Sequence, residues 1–278
     1  CLSACLFVFV VGYSHTACLA MVLCYLVRMF AITGFYHRYF SHKTFKTNRF
    51  WQFVFAFMGS SAVQRGPIWW AAHHRHHHQH SDKPGDVHSP WQQSVWWSHY
   101  KWILSRRNFP VNFRLVRDLT RYPELMFLDR FDKIAPALLG LFFYGLGWAL
   151  EVYAPGLGTS PWQMVVWGFV CSTVLLLHGT FTINSISHLW GTQPYSTNDN
   201  SRNNFLLALI TLGEGWHNNH HYAPQRVKQG IHWWQIDITY YILWTMKQLG
   251  IIWDFKNIFP RSKAPSPSSE ETSERLVS

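Results

Sequence analysis

The chain is short of charge: only 14% of its 278 residues are Asp, Glu, Lys or Arg, and 14 acids face 24 cations. Between Leu2 and Phe35 the one formal charge is Arg28. Cysteine is sparse as well. Cys1, Cys5, Cys18, Cys24 and Cys171 all lie in apolar stretches and form no CxxC pair. They read as small buried side chains in a reducing compartment, neither bridges nor ligands. No charged leader with a cleavage site marks a signal peptide. No nucleic-acid module is recognisable, so the net charge of +10 is assigned to anionic lipid or a phosphorylated substrate.

What is present is long apolar sequence. Spans are expected at about residues 1–13, 15–36, 134–153 and 162–186, against a hydrocarbon core that takes about 20 helical residues to cross. The chain begins at Cys1 without Met and its first run is short, so the first of these four helices is expected to be truncated. Asn48 to Val63 is shorter still and reads as an interfacial or re-entrant helix. The links Gly12 to His15 and Ala154 to Pro161 lack Lys and Arg, whereas every cation but Arg28 lies between Arg38 and Lys133 or after Ile186. The positive-inside rule therefore puts two hairpin tips outside and a helical cap, residues 37–133 and 187–260, in the cytoplasm. Within that cap, Arg106 to Lys133 reads as a charged helical segment, and Arg202 to Leu212 and Ile231 to Leu249 as amphipathic helices. The tail, 261–278, has a disordered composition. The expected fold is an all-α integral membrane protein of 1–260, two hairpins under one cap.

Seven histidines crowd into Trp69 to His88. His74, His77 and His78 stand at i, i+3 and i+4, so their rings rise from one helical face. The phase returns at His217, His220 and His221, and His37 and His42 open a third cluster. Those two are five apart, so a common metal requires the helix carrying His37 to end before His42. Asn184 and His188 sit one turn apart near the end of the last span. His73, His76 and His80 fall off the ligand phase, and His15, His88, His99, His178 and His232 are isolated.

Nine phased imidazoles exceed what one ion takes, so two ions are expected, with Asn184 as a tenth polar group. Imidazole alone does not choose between Zn, Cu, Fe and Ni. The setting argues for iron: a metal pair under a membrane hairpin, fed by aromatic-lined helices, suits oxygen chemistry on a lipid chain, and abstracting hydrogen from an unactivated methylene needs a redox metal, which zinc is not. Asp82, Asp86 and Glu214 are the nearest carboxylates to orient the rings through their other N–H. A membrane hydroxylase with the same centre is the rival enzyme. A histidine-rich metal transporter is the rival from another class, and it would need ligands at mid-depth in the spans, where almost none occur.

The segments HRYFSH (His37 to His42), HRHHH (His74 to His78), NSISH (Asn184 to His188) and GEGWHNNHH (Gly213 to His221) resemble, in order and spacing, the boxes of the membrane acyl-CoA desaturases of the stearoyl-CoA delta-9 type, particularly bacterial members. The likeness runs from about Ala31 to Trp253. It implies four spanning helices beneath a cytoplasmic cap and a centre of two Fe ions (Fe2+/Fe3+) held by His37, His42, His74, His77, His78, His188, His217, His220 and His221, with Asn184 through water. It also implies O2-dependent insertion of a cis double bond into a saturated acyl chain. A bent substrate tunnel would involve Gln64, Trp70 and Thr180, with Tyr25 and Met29 near its closed end. Where animal members carry Arg-Asp before the second box, this chain has Ala72-His73, which admits a carrier-protein or lipid-bound acyl chain as well as acyl-CoA. No cytochrome b5 domain is fused, so electrons must come from a separate carrier such as cytochrome b5, ferredoxin or rubredoxin with its reductase.

Overall fold

The computed structural model describes residues 2–257 and 259, so the expected tail at 261–278 lies outside the described residues. Its helices, in chain order, are α1 (His15–Ser41), α2 (Arg49–Ser60), α3 (Pro67–His80), α4 (Pro123–Arg130), α5 (Ile134–Tyr153), α6 (Pro161–His188), α7 (Phe205–Ile210), α8 (His217–Tyr222) and α9 (Ile238–Gln248). Only α1, α5 and α6 are long and apolar enough to cross a membrane among the described residues. The first apolar run forms a 3-10 segment, Leu2–Phe7, and one helical turn, Val8–Val11. That is about half the length a span requires.

Local chemistry explains where the helices start. Ser14, Asn48, Asn204 and Asp237 each accept a backbone N–H from the first turn of the helix they precede. Ser160 and Gln163 form a reciprocal capping box at the start of α6. The Asp237 cap also explains why α9 starts well after the expected Ile231: the backbone before it is tied up by Gln235, whose Oε1 accepts from Ile231 N and His232 N. Arg106 to Lys133 likewise breaks into short pieces, with only α4 reaching two turns.

α2 is the short helix expected to be interfacial or re-entrant. Its carboxyl end dips against α1, where the Ser61 carbonyl accepts from Arg28. Arg28 is buried, and it also donates to neutral groups, the Cys24 carbonyl and the hydroxyls of Ser172 and Thr173. A cation there satisfies the unpaired carbonyls at the end of α2 while pinning α1 to α6. Gly59 permits the contact, since a Cβ at that position would meet the Tyr36 ring at 2.0 Å.

One apolar core runs from Met29 through Tyr36, Phe55, Ile68 and Leu128 to Leu243 and Ile252. A two-stranded ladder, β1 (Lys46–Thr47) on β2 (Ile252–Trp253), closes the end of the fold onto its beginning. The histidine-bearing elements thus converge at one end of α1 and α6.

Candidate metal centre

The last eleven residues of α1, Ala31–Ser41, wind as a π-helix. His42 N donates to His37 O across five residues at 3.2 Å, and the two rings come to 4.8 Å. The expectation that the helix ends before His42 holds, with Ser41 its last residue. The wide winding brings the fifth residue back over the first, which the α-helical rule could not foresee.

α3 begins without a capping side chain of its own, at Gly66-Pro67. The cap comes from Asp129 in α4, whose Oδ1 accepts from Ile68 N (3.0 Å) and Trp69 N (2.8 Å). Burial pushes that carboxyl up to about 6, against the pull of the two donors. Gly66 allows the approach, since a Cβ would lie 2.3 Å from the Asp129 backbone. Arg75, between the ligand-phase histidines, points the other way. It donates to the carbonyls of Phe40 and Ser41 and to both oxygens of Asp118.

The nine ligand-phase histidines fall into two groups. His37, His42, His74, His78 and His220 form one, and His77, His188, His217 and His221 the other, each with its ring nitrogens within 4.8 Å of one another. The nitrogens face each other: His42 Nε2 to His74 Nε2 is 2.7 Å, His37 to His220 3.1 Å, His78 to His220 3.0 Å and His188 to His217 3.0 Å. Two nitrogens about 2.1 Å from one ion and at right angles to each other stand about 3.0 Å apart.

Carboxylates fix the opposite edge of four rings. His37 Nδ1 contacts Glu214 at 2.5 Å, His77 Nδ1 Asp86 at 3.0 Å, His188 Nδ1 Asp82 at 2.8 Å and His221 Nδ1 Asp199 at 2.6 Å. A carboxylate only accepts, so each of these rings carries its proton on Nδ1 and turns a bare Nε2 lone pair inward. The bare Nε2 atoms of His37 and His188 each face a neighbouring imidazole nitrogen, at 3.1 and 3.0 Å, and a set of ring nitrogens converging in this way fits a metal. Buried His221 Nε2 has no hydrogen-bond partner among the described residues. Burial, then neighbouring imidazoles, hold His42, His74, His78 and His220 well below the usual histidine range, which keeps them neutral. Burial would raise Asp82 and Glu214, but the adjacent His188, and His37 with Arg38, bring each down to about 2.

Asp82, Asp86 and Glu214 were the carboxylates expected beside the rings, and all three are there. Asp199 was missed. Its signal was scarcity, since it and Glu214 are the only acids between His188 and His217. Arg38, fully buried, was missed too. It bonds Glu214 and Asp237 and so holds the carboxylate on which His37 rests. His88, read as isolated, is buried against His77 with ring centroids 4.2 Å apart, and His99 pairs with His178 at 2.9 Å. His73 bonds its own helix at Trp69 O.

Beside the two groups lies a cavity of ≈ 40 Å³ bounded by Met29, Trp70, Thr180 and Asn184 together with His37, His74, His77 and His217. A second, of ≈ 30 Å³, shares Trp70, Thr180 and Asn184 with it and adds Gln64, whose amide donates to Thr180 Oγ1 at 3.0 Å. Tyr25 lines neither of the two. Its hydroxyl donates to Ile210 O, and with Met29 it closes over Gly179.

A helical membrane fold that gathers nine imidazoles into two carboxylate-backed groups defines a protein with a histidine site built to hold metal. The fatty acid desaturase family profile matches residues 14–254, and the chain belongs to that family. It is 36% identical over 228 residues to a probable chloroplastic lipid desaturase of Arabidopsis thaliana, covering 81% of this chain and 59% of the relative. It is 35% identical over 221 residues to the sn-2 palmitoyl-lipid 9-desaturase of Nostoc sp., covering 78% and 73%. To the icosanoyl-CoA 5-desaturase of Limnanthes douglasii it is 36% identical over 231 residues, covering 81% and 60%. The chain thus spans about three fifths of the length of two of these relatives.

Proposed function

We propose that the chain is an O2-dependent fatty acyl desaturase that introduces a cis double bond, at the delta-9 position, into a saturated acyl chain. The observation that carries this reading is the pair of histidine groups opening onto a narrow, largely apolar cavity. His37, His42, His74, His78 and His220 would hold one iron, and His77, His188, His217 and His221 the other, with Asn184 reaching it through water. The charge count supports two divalent ions: nine neutral imidazoles contribute nothing, while Glu214, Asp86, Asp82 and Asp199 contribute four negative charges against four positive. Arg38 and Asp237 cancel each other.

The iron pair, when bound, supplies the capacity to reduce O2 while oxidising an unactivated carbon–hydrogen bond. Removing two hydrogens from adjacent methylenes while reducing O2 to two waters takes two electrons and two protons, which an electron donor and solvent would deliver. The protein's own residues position the chain. Trp70, stacked on His74 with ring centroids 5.0 Å apart, and the Gln64–Thr180 bridge wall the passage, and Met29 closes it at depth. The name of the Nostoc relative supports delta-9. We place α1, α5 and α6 with a first helix as a four-span, multi-pass bundle, histidines toward the cytoplasm, because the cations cluster on that side.

Expression in a desaturase-deficient host followed by gas chromatography of the fatty acids tests this reading. A new cis-9 monoene, absent when His78→Ala is expressed, is expected. A hydroxylated acid in its place would make the enzyme a hydroxylase.

A further inference from the structure

We propose that a groove between α1, α2 and α5, separate from the metal centre, binds a long-chain fatty acid, with Arg28 as the cation that holds its carboxylate. The proposal goes beyond the desaturase reading and does not depend on it.

The argument begins with a charge that nothing balances. No Asp or Glu precedes Asp82, and α1, α5 and α6 together hold only Glu151, which is exposed beside the turn between α5 and α6. Arg28 is 2% exposed, and no acid pairs with it among the described residues. Its Nε donates to Cys24 O, Nη1 to Ser61 O and Thr173 Oγ1, and Nη2 to Ser172 Oγ. A guanidinium has five N–H donors, so these four bonds leave one donor of Nη2 over.

That charge lies deep. Arg28 is thirteen residues in from His15 on α1, and its partner Ser172 is eleven in from Pro161 on α6, about 20 and 16 Å along the two helices. Both distances fall well inside a hydrocarbon core of about 30 Å. An ionised side chain there is costly without a partner and marks a site, and for Arg28 the partner of opposite sign is an anion.

Beside Arg28 lies a groove of ≈ 520 Å³. Arg28 is the only charged residue that lines it and Ser61 the only hydroxyl, and no residue before Ala20 takes part. Leu23, Val27, Leu138 and Phe142 at its rim are each about half exposed, so it opens to the bilayer, and Met58 and Leu139 lie further in. It runs along α5 from Ala135 to Leu146, about 16 Å. The metal-centre cavity uses different residues of α1, Met29, Ile32 and Thr33. One anionic head on a long apolar tail meets both the lone cation and the apolar walls. The depth selects a fatty acid. A carboxyl crosses hydrocarbon as the neutral acid and releases its proton to water as it pairs with the guanidinium, whereas a phospholipid phosphate stays charged at the interface.

The test uses the iron-loaded chain in phosphatidylcholine vesicles holding palmitic acid with a photoreactive diazirine midway along its chain, or the methyl ester of the same probe. Labelling is read by mass spectrometry at Met58 and Leu139, relative to Leu141, an exposed residue of α5 outside the groove. The acid is expected to label both at least tenfold above the ester. Unlabelled palmitic acid should displace it, and phosphatidylglycerol at the same concentration should not. Arg28→Gln, which keeps an amide donor without the charge, should abolish the difference between acid and ester. Leu138→Trp fills the groove and leaves the guanidinium and its partners in place. It should cut labelling at least tenfold with iron content unchanged, and it decides the matter if Arg28→Gln fails to load iron. Equal labelling by acid and ester, or labelling by the acid that survives Leu138→Trp, overturns the site. A preference for the acid that persists in iron-loaded Arg28→Gln overturns the role of Arg28. Displacement by phosphatidylglycerol as effective as by palmitic acid overturns the choice of a fatty acid.

Discussion

Arg75 and Asp118 form a two-pronged ion pair, Nη1 to Oδ1 at 2.7 Å and Nη2 to Oδ2 at 3.1 Å, while the same guanidinium donates to the carbonyls of Phe40 and Ser41. The residue between His74 and His76 is thus the clasp that sets His42 against α3.

Arg75→Ala should release that turn. Iron affinity is expected to fall by roughly 10- to 100-fold, in the range that supports behind metal ligands typically show. Chelator competition on the purified protein measures it. Arg75→Lys, which cannot bridge all these acceptors, should recover little. An unchanged affinity in Arg75→Ala would remove the clasp from the account.

The clasp also has a pH signature. Burial would raise Asp118, but bonds from Arg75 and Lys43 outweigh it and hold the carboxyl below its usual range. A depressed folded value means that its stabilisation is complete above the unfolded value, about 4, and is lost as pH falls through the lower folded one. The difference in Tm between wild type and Asp118→Asn should therefore stay constant from pH 7 to about 5 and shrink below about 4. A difference that grew in acid would reverse the sign.

Asp199 holds His221 Nδ1 at 2.6 Å, and the other nitrogen of that ring has no hydrogen-bond partner among the described residues. Asp199→Ala is expected to cost about tenfold or more in iron affinity, with Asp199→Asn losing less because an amide oxygen still accepts the Nδ1 proton. Equal losses would mean that charge, and not ring orientation, is what Asp199 supplies.

Gly66→Ala would drive a Cβ to within 2.4 Å of the Asp129 carboxylate, the cap of α3. We expect a loss of about 1–3 kcal/mol, as for other overpacked sites, seen as a lower Tm in detergent. Asp129→Ala, which opens the space but deletes the cap, should cost about 1 kcal/mol.

Stripping the metal with a chelator should abolish turnover, and Fe(II) should restore it. Zn(II) should bind the same imidazoles, protect the fold against heat and give no product, because it cannot change oxidation state. Activity in the zinc form would contradict the redox chemistry proposed here.

Much of the site was legible because ligand phase is a local property. HxxHH fixes three rings on one face wherever a helix forms, so α3 and α8 could be read from their spacing alone. Span α5 was equally plain at Ile134–Tyr153, an apolar run broken only by Glu151, with charged Lys133 before it and the turn Ala154-Pro155-Gly156 after it. What stayed hidden depends on partners distant in sequence. The Asp129 cap of α3, the Arg38 bridge to Glu214 and Asp237, and the His99–His178 pair join residues 60 to almost 200 positions apart. Winding was hidden for another reason: periodicity arguments assume 3.6 residues per turn, and Ala31–Ser41 departs from it.

That departure makes the stretch intolerant of changes in length. Substitutions at the apolar positions of Ala31–Ser41 alter local packing, but deleting a single residue would tighten the coil and swing His42 by about a quarter-turn relative to His37. The bearing of one imidazole on the other is therefore set by a residue count, much as a screw thread sets where a bolt head comes to rest.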